Sequence, residues 1–151
     1  MIGIIGAMSA EVEALKAKMS STVCERISGI EFVRGTLGNK DAVVAQCGIG
    51  KVFAAICTEI MIVRFGVDTV INTGVAGTLS DKIGILDFAI SSSVVQHDMD
   101  TTAIGDAPGL ISGINVLISM PTLRSPPLRK SLRKILATAQ FAELSHRAIS
   151  S

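Results

Sequence analysis

The run Ile2-Gly3-Ile4-Ile5-Gly6 passes directly into Ala7-Met8-Ser9-Ala10-Glu11-Val12-Glu13, and this opening constrains the fold more than any other segment. A short apolar run, closed by small residues and followed by helix formers, reads as a buried strand feeding a helix. In α/β proteins such strand ends meet at the carboxyl edge of a sheet, where ligands bind. Here they deliver a thioether, Met8, and a carboxylate, Glu11, within about one helical turn. Two glycine-bearing segments, Cys47-Gly48-Ile49-Gly50-Lys51 and Asn72-Thr73-Gly74-Val75-Ala76-Gly77, also follow strand-like runs. Three such loops point to one pocket.

A chain of 151 residues, 48% of them hydrophobic, is large enough for a single domain with its own core. Its formal net charge of +1 gives no electrostatic reason to expect nucleic acid, and its apolar content excludes a disordered chain. Apolar runs are short and broken by glycine or charge, so none spans a bilayer. The N-terminus carries no basic stretch followed by an apolar core and cleavage site, so no secretory signal is expected. Cys24, Cys47 and Cys57 fit no paired metal spacing, and a reduced cytoplasm suits them best. Cys47 beside a glycine loop reads as a small buried apolar residue rather than a reactive thiol.

Up to Leu117 strands and helices alternate. Ile2–Gly6 is a strand, and Ser9 is placed to cap a helix running to about Met19. Glu31–Thr36 and Ala42–Cys47 form a hairpin around Gly38-Asn39. Lys51–Phe65 has helical periodicity with Gly66 as its stop. Val67–Asn72 is a buried strand rich in β-branched residues. Ile83–Val95 supplies one or two further strands, 98–113 is a loop, and Ile114–Ile118 a last short strand. The texture then changes. Residues 119–151 hold six Lys/Arg against one Glu, a net of +5, while 1–118 hold eight against twelve acids, a net of −4. Three prolines and five basic residues crowd 120–134. The division expected is thus 1–118 as the folded part and 119–151 as an atypical basic tail. Three readings of that tail stand open: a basic interaction arm, an ordinary surface helix over about 127–144, or an out-of-frame translation. Reading the encoding DNA in its other frames past codon 118 separates the last from the others.

The motifs carry limited chemistry one at a time. Glu11 in a first helical turn gains about 0.3–1 kcal/mol from the helix dipole without any function. Just beyond a buried strand, however, an ionised carboxylate can orient or deprotonate a water. Gly48-Ile49-Gly50-Lys51-Val52 is not a phosphate loop, because Ala45 stands where the pattern needs glycine and Val52 where it needs a hydroxyl. Gly3 and Gly6 likewise miss the dinucleotide fingerprint. The small residues of 72–77 permit either close approach of a flat ring or sugar, or tight helix–sheet packing. His97-Asp98-Met99-Asp100 lacks a clear third metal ligand and reads as a polar loop.

Together, Ile2–Glu13, Cys47–Val52, Ile71–Leu79 and His97–Gly105 resemble the bacterial 5′-methylthioadenosine/S-adenosylhomocysteine nucleosidases, within the purine nucleoside phosphorylase superfamily. The strand-Gly-Ala-Met-x-x-Glu-Val opening, the Gly-Ile-Gly-Lys-Val loop and the Asn-Thr-Gly-x-Ala-Gly strand end occur in family order and at family-like spacing. Each is weak alone, and the set is specific. The resemblance implies a three-layer α/β/α fold with a mixed, twisted central sheet, incomplete here at the C-terminal side, and a homodimeric assembly. It implies hydrolysis of an N-glycosidic bond, releasing adenine with neither metal nor organic cofactor. By the same matching, Glu11 activates the attacking water, and Met8 lines the ribose and thioalkyl region with Ile49 beside it. Val75 and Ala76 pass under the ribose, and Thr101 and Ile104 reach the partner's thioalkyl pocket.

The resemblance covers residues 1 to about 117, about half of a family member. The family's adenine-stacking phenylalanine segment, its Met-Glu pair on the ribose hydroxyls and its Ser-Asp acid all lie in the other half. No stretch after Leu117 matches them; Phe141 and Glu143 have suitable chemistry in unsuitable surroundings. General acid–base assistance contributes about 10²–10⁴-fold, so the chain as written is expected to be badly impaired, with sheet edges and apolar surface exposed. A related nucleoside phosphorylase and a non-catalytic binding or dimerisation module are the competing readings. The phosphorylase needs a phosphate-binding hydroxyl, which Val75 lacks.

Overall fold

The computed structural model describes residues 1–91 and 94–114. They fall into two compact units, and each is taken by itself: residues 1–77, and the described residues from 78 onward.

In the first unit β1 (Ile2–Gly6) enters α1 (Ser9–Lys16), followed by β2 (Met19–Ile27), β3 (Ile30–Leu37) and β4 (Lys40–Gln46). Then come α2 (Lys51–Phe65) and β5 (Thr69–Asn72). The strands make one five-stranded sheet in the order β2-β3-β4-β1-β5. β1 lies between β4 and β5, parallel to both, with Ile4 opposite Val44 on one side and Ile71 on the other. β2, β3 and β4 pair antiparallel, so the sheet is mixed.

Alternation along the strands sorts the core into two faces. Ile5, Phe32, Val43 and Ala45 share one face with Cys57 and Met61 of α2. Their neighbours Ile4, Val33, Ala42 and Val44 point the other way and are also buried, together with Val12 and Leu15 of α1. A Cβ built on Gly6 would lie 2.8 Å from Val12, which fixes α1 on that second face. The result is the three-layer arrangement expected from the sequence. Phe32 and Phe65 close one end of the α2 layer, with ring centroids 5.3 Å apart.

Boundaries follow local chemistry. Gly66 ends α2 in the left-handed conformation, φ 66°, where a side chain would be strained. The expected Ser9 cap is corrected: Met8 occupies the N-cap, Ser9 is the first helical residue, and the Glu11 carboxylate serves the cap amide that a serine hydroxyl would otherwise leave to water. α1 also stops at Lys16 rather than near Met19, which instead begins β2. β2 has no counterpart among the expected elements. β5 begins at Thr69, two residues after the expected Val67.

The second unit overturns another expectation. No strand forms among the described residues of 83–95, and Ile83, Ile85, Leu86, Phe88 and Ile90 are exposed. Local bonds hold the backbone in turns instead: Gly84 N donates to Asp87 Oδ2 at 2.8 Å, and Leu86 takes a positive φ of 70°. A β-branched run becomes a strand only where a neighbour completes its ladder. The regular element described here is a short 3₁₀ turn, Thr102–Ile104. Of the strand expected at Ile114–Ile118, Ile114 lies in a turn and the rest falls outside the described residues, as does the basic tail.

Candidate active site

The parallel strands β4, β1 and β5 end side by side, and their ends are stitched together. Cys47 N donates to Gly6 O at 2.8 Å, and Thr73 N donates to Ile5 O at 2.9 Å, each continuing the ladder one step past the strands. Three loops therefore leave the same sheet edge: 7–8 into α1, 47–50 into α2, and 73–77 beyond β5.

Glu11 joins the first of these loops to the third. Its Oε2 accepts the Met8 amide at 3.0 Å, and its Oε1 accepts the Val75 amide at 3.0 Å. The two contacts are separated by 64 residues of sequence on one side and three on the other. Burial pushes the carboxyl pKa up, but the amides of Met8, Val75 and Ala7 outweigh it and hold the group below its ordinary value. Glu11 is therefore a half-buried carboxylate, ionised at neutral pH. A carboxylate has about four acceptor positions, so these amides leave capacity for a further donor, which a water can supply.

Around it stand apolar side chains with no described cover. Met8 is 38% exposed, Ile49 75% and Val75 80%. Ala76, next to Val75, is exposed as well. The structure thus brings Met8, Glu11 and Val75 into direct contact, with Ile49 on the adjoining loop. Thr101 and Ile104 belong to the second unit. There the Thr101 hydroxyl donates to Asp106 Oδ2 at 2.7 Å, an oxygen that also receives the Ser112 hydroxyl, while Ile104 is exposed.

The neighbouring thiols are held in their protonated form. Cys47 Sγ lies 3.3 Å from Gly6 O, and its pKa is raised by burial and by the charge on Glu11. Cys57 is pushed up to about 12 by burial, with Cys47 adding to it. Both stay protonated, consistent with small buried apolar residues. At the 97–100 loop, Asp100 accepts the hydroxyl and amide of Thr102 at 2.7 and 3.0 Å, a local turn motif. Among the described residues no group of three His, Cys, Asp or Glu is placed to hold a metal. An open groove of about 430 Å³ runs between β2 and α2, lined by Glu25, Ile27, Glu59, Ile60, Val63 and Arg64, none of which borders Glu11.

What the sequence did not disclose is the pair of amide donors. Backbone N–H groups carry no residue signature, and only the sheet register brings Val75 N to Glu11. The small residues of 72–77 were the available signal.

Comparison with known proteins gives the family and the fold. The profile of the family described as the Phosphorylase superfamily matches residues 1–148. The 5′-methylthioadenosine/S-adenosylhomocysteine nucleosidase of Shewanella putrefaciens is 52% identical over 104 residues, covering 69% of this chain and 45% of that protein. The chain therefore spans a little under half the length of such a relative. The crystal structure of the corresponding nucleosidase from Colwellia psychrerythraea, in complex with adenine, superposes with a TM-score of 0.76 at 43% identity, covering 80% of this chain and 49% of that one. Futalosine hydrolase of Helicobacter pylori superposes with a TM-score of 0.77 at 31% identity, covering 88% of this chain and 56% of that one.

Proposed function

Because the chain belongs to the phosphorylase superfamily, we propose that it supplies the water-activating half of an N-glycosidic bond hydrolysis acting on 5′-methylthioadenosine and S-adenosylhomocysteine, with release of adenine. The observation that carries this reading is the Glu11 carboxylate, held ionised by backbone amides, those of Met8 and Val75 at 3.0 Å, at the end of three parallel strands. The nucleosidases of Shewanella putrefaciens and Colwellia psychrerythraea support the choice of substrate.

In this mechanism Glu11 accepts a hydrogen bond from the attacking water and takes its proton as the bond to the sugar forms. The sugar passes through an oxocarbenium-like state, as in other glycoside hydrolysis. Met8, Ile49, Val75 and Ala76 present apolar surface to the ribose and thioalkyl portion and keep bulk water away. Thr101 and Ile104 serve a thioalkyl pocket across a homodimer. The resemblance also assigns groups to the purine and the ribose hydroxyls, and these find no match after Leu117. Turnover by this chain is accordingly slow, by about 10²–10⁴-fold for the acid alone. A cytoplasmic homodimer is part of the same proposal. The homodimer is supported by the resemblance and by the outward apolar side chains of α2, where Val52, Ile56 and Val63 are exposed.

Adenine release from methylthioadenosine, followed with and without inorganic phosphate, tests the reaction class. Release independent of phosphate is expected. Release that requires phosphate would replace hydrolysis by phosphorolysis.

A further inference from the structure

Glu11 reaches the Val75 amide because no side chain stands at residue 74. A methyl group built on Gly74 would lie 2.8 Å from Glu11 Oε1, 3.1 Å from Cδ and 3.4 Å from Oε2, and these are its three nearest atoms. A carbon needs about 3.5 Å from such atoms, so methyl and carboxylate exclude each other. Gly74 is not among the glycines with positive φ, so its backbone conformation does not call for glycine. Its neighbours show the contrast. Gly48 and Gly50 have φ of 91° and 107°, which call for glycine on conformational grounds. Gly6 faces the core, where an added Cβ would meet Val12 Cγ1 at 2.8 Å. At Gly74 the requirement is space, and the nearest atoms in that space all belong to one carboxylate.

We propose that Gly74 is a positioning residue for Glu11: its bare Cα leaves the room in which the carboxylate bridges the amides of Met8 and Val75, and so fixes where the reactive oxygens point. The proposal rests on the role given to Glu11 above. The obstructing atoms are the free end of a flexible side chain, so Gly74→Ala leaves the fold intact and turns the carboxylate off Val75. The Val75 amide then loses its acceptor, and Glu11 loses one of the donors that favour its ionised form.

The test is an NMR pH titration of the full 151-residue chain, following the Glu11 carboxyl carbon and the Val75 amide together. In the unsubstituted chain the Val75 amide shift is expected to follow the Glu11 titration. In Gly74→Ala, with its thermal midpoint preserved, Glu11 should titrate at higher pH and the Val75 amide should no longer follow it. Gly77→Ala is the control, since Gly77 has no positive φ and nothing within 4 Å of an added Cβ; it should match the unsubstituted chain. Unchanged Glu11 and Val75 titrations in Gly74→Ala would overturn the proposal. Loss of folding in that variant would also count against it, by showing an obstacle beyond the carboxylate. Glu11→Gln gives an independent check: it must abolish the pH dependence of the Val75 amide, and persistence of that dependence would refute the bridge. None of these readouts involves turnover, so a chain that passes them yet releases no adenine would refute the proposed reaction and leave the positioning role standing.

Discussion

Residues 1–77 and the described residues from 78 to 114 are both rich in aliphatic side chains, yet they end in opposite states. In the first, Ile4, Val43 and Val44 are at most 1% exposed, because β1 has a parallel neighbour on each side and β4 pairs with β1 and β3. In the second, Leu79 and Ile85 are fully or almost fully exposed, and turns replace strands. Composition is similar; ladder partners are not. An apolar run gains from the hydrophobic effect only when something covers it, and its backbone gains from pairing only when a strand lies alongside.

That contrast can be broken most directly by deleting apolar volume on each side of it. Phe32→Ala empties a fully buried position against Phe65 and should cost about 3–5 kcal/mol in urea unfolding. Ile85→Ala should stay within about 0.5 kcal/mol. Equal losses would mean that the second region has a core of its own. Hydrogen exchange sharpens the same point: amides of β1 and β4 should be the most protected, and those of 79–90 should exchange early.

Acid provides a smaller effect with a definite sign. Burial pushes the Glu11 carboxyl up, but the amides of Met8, Val75 and Ala7 outweigh it and leave the group below its ordinary 4.5. Asp68 is held below 3.8 by the N-terminal ammonium, 2.7 Å away, and by Thr69. With both folded-state values depressed, the unfolded chain binds protons first. The stability these groups contribute is complete above their ordinary values and is lost as pH falls through the depressed ones. The urea midpoint should therefore be flat near neutrality and drop below about pH 4.5, with a smaller drop in Glu11→Gln. The smallest effect is expected at Asp106→Asn, which weakens the bonds from Thr101 and Ser112 at an exposed turn. Only amide shifts of 99–112 should move, with the urea midpoint unchanged.

Much of the first region was legible from the residues. The glycine–asparagine turn at 38–39, the helical period of 51–65 with its Gly66 stop, and the apolar run of β1 each carry a local signature. β2 was not legible: Ser20, Ser21, Thr22, Glu25 and Arg26 give it no apolar alternation, and the register shift between Ser20 and Val23, with Ser21 at φ 52°, breaks whatever period remained. Among the described residues of 83–95 the expected strands failed for the opposite reason, since β-branched residues announce a strand without revealing whether a partner exists. At the site, Met8 and Glu11 were readable from the strand-to-helix opening. The bond from Val75 was not, because it depends on β5 lying beside β1.

The measurement that bears most directly on the whole account is adenine release from methylthioadenosine by the 151-residue chain, with and without Glu11→Gln, at neutral pH. Slow release that disappears on Glu11→Gln while the fold is retained is the expected result. Equal release by both chains would contradict a water-activating role for Glu11, and no release from the folded unsubstituted chain would contradict turnover by this chain.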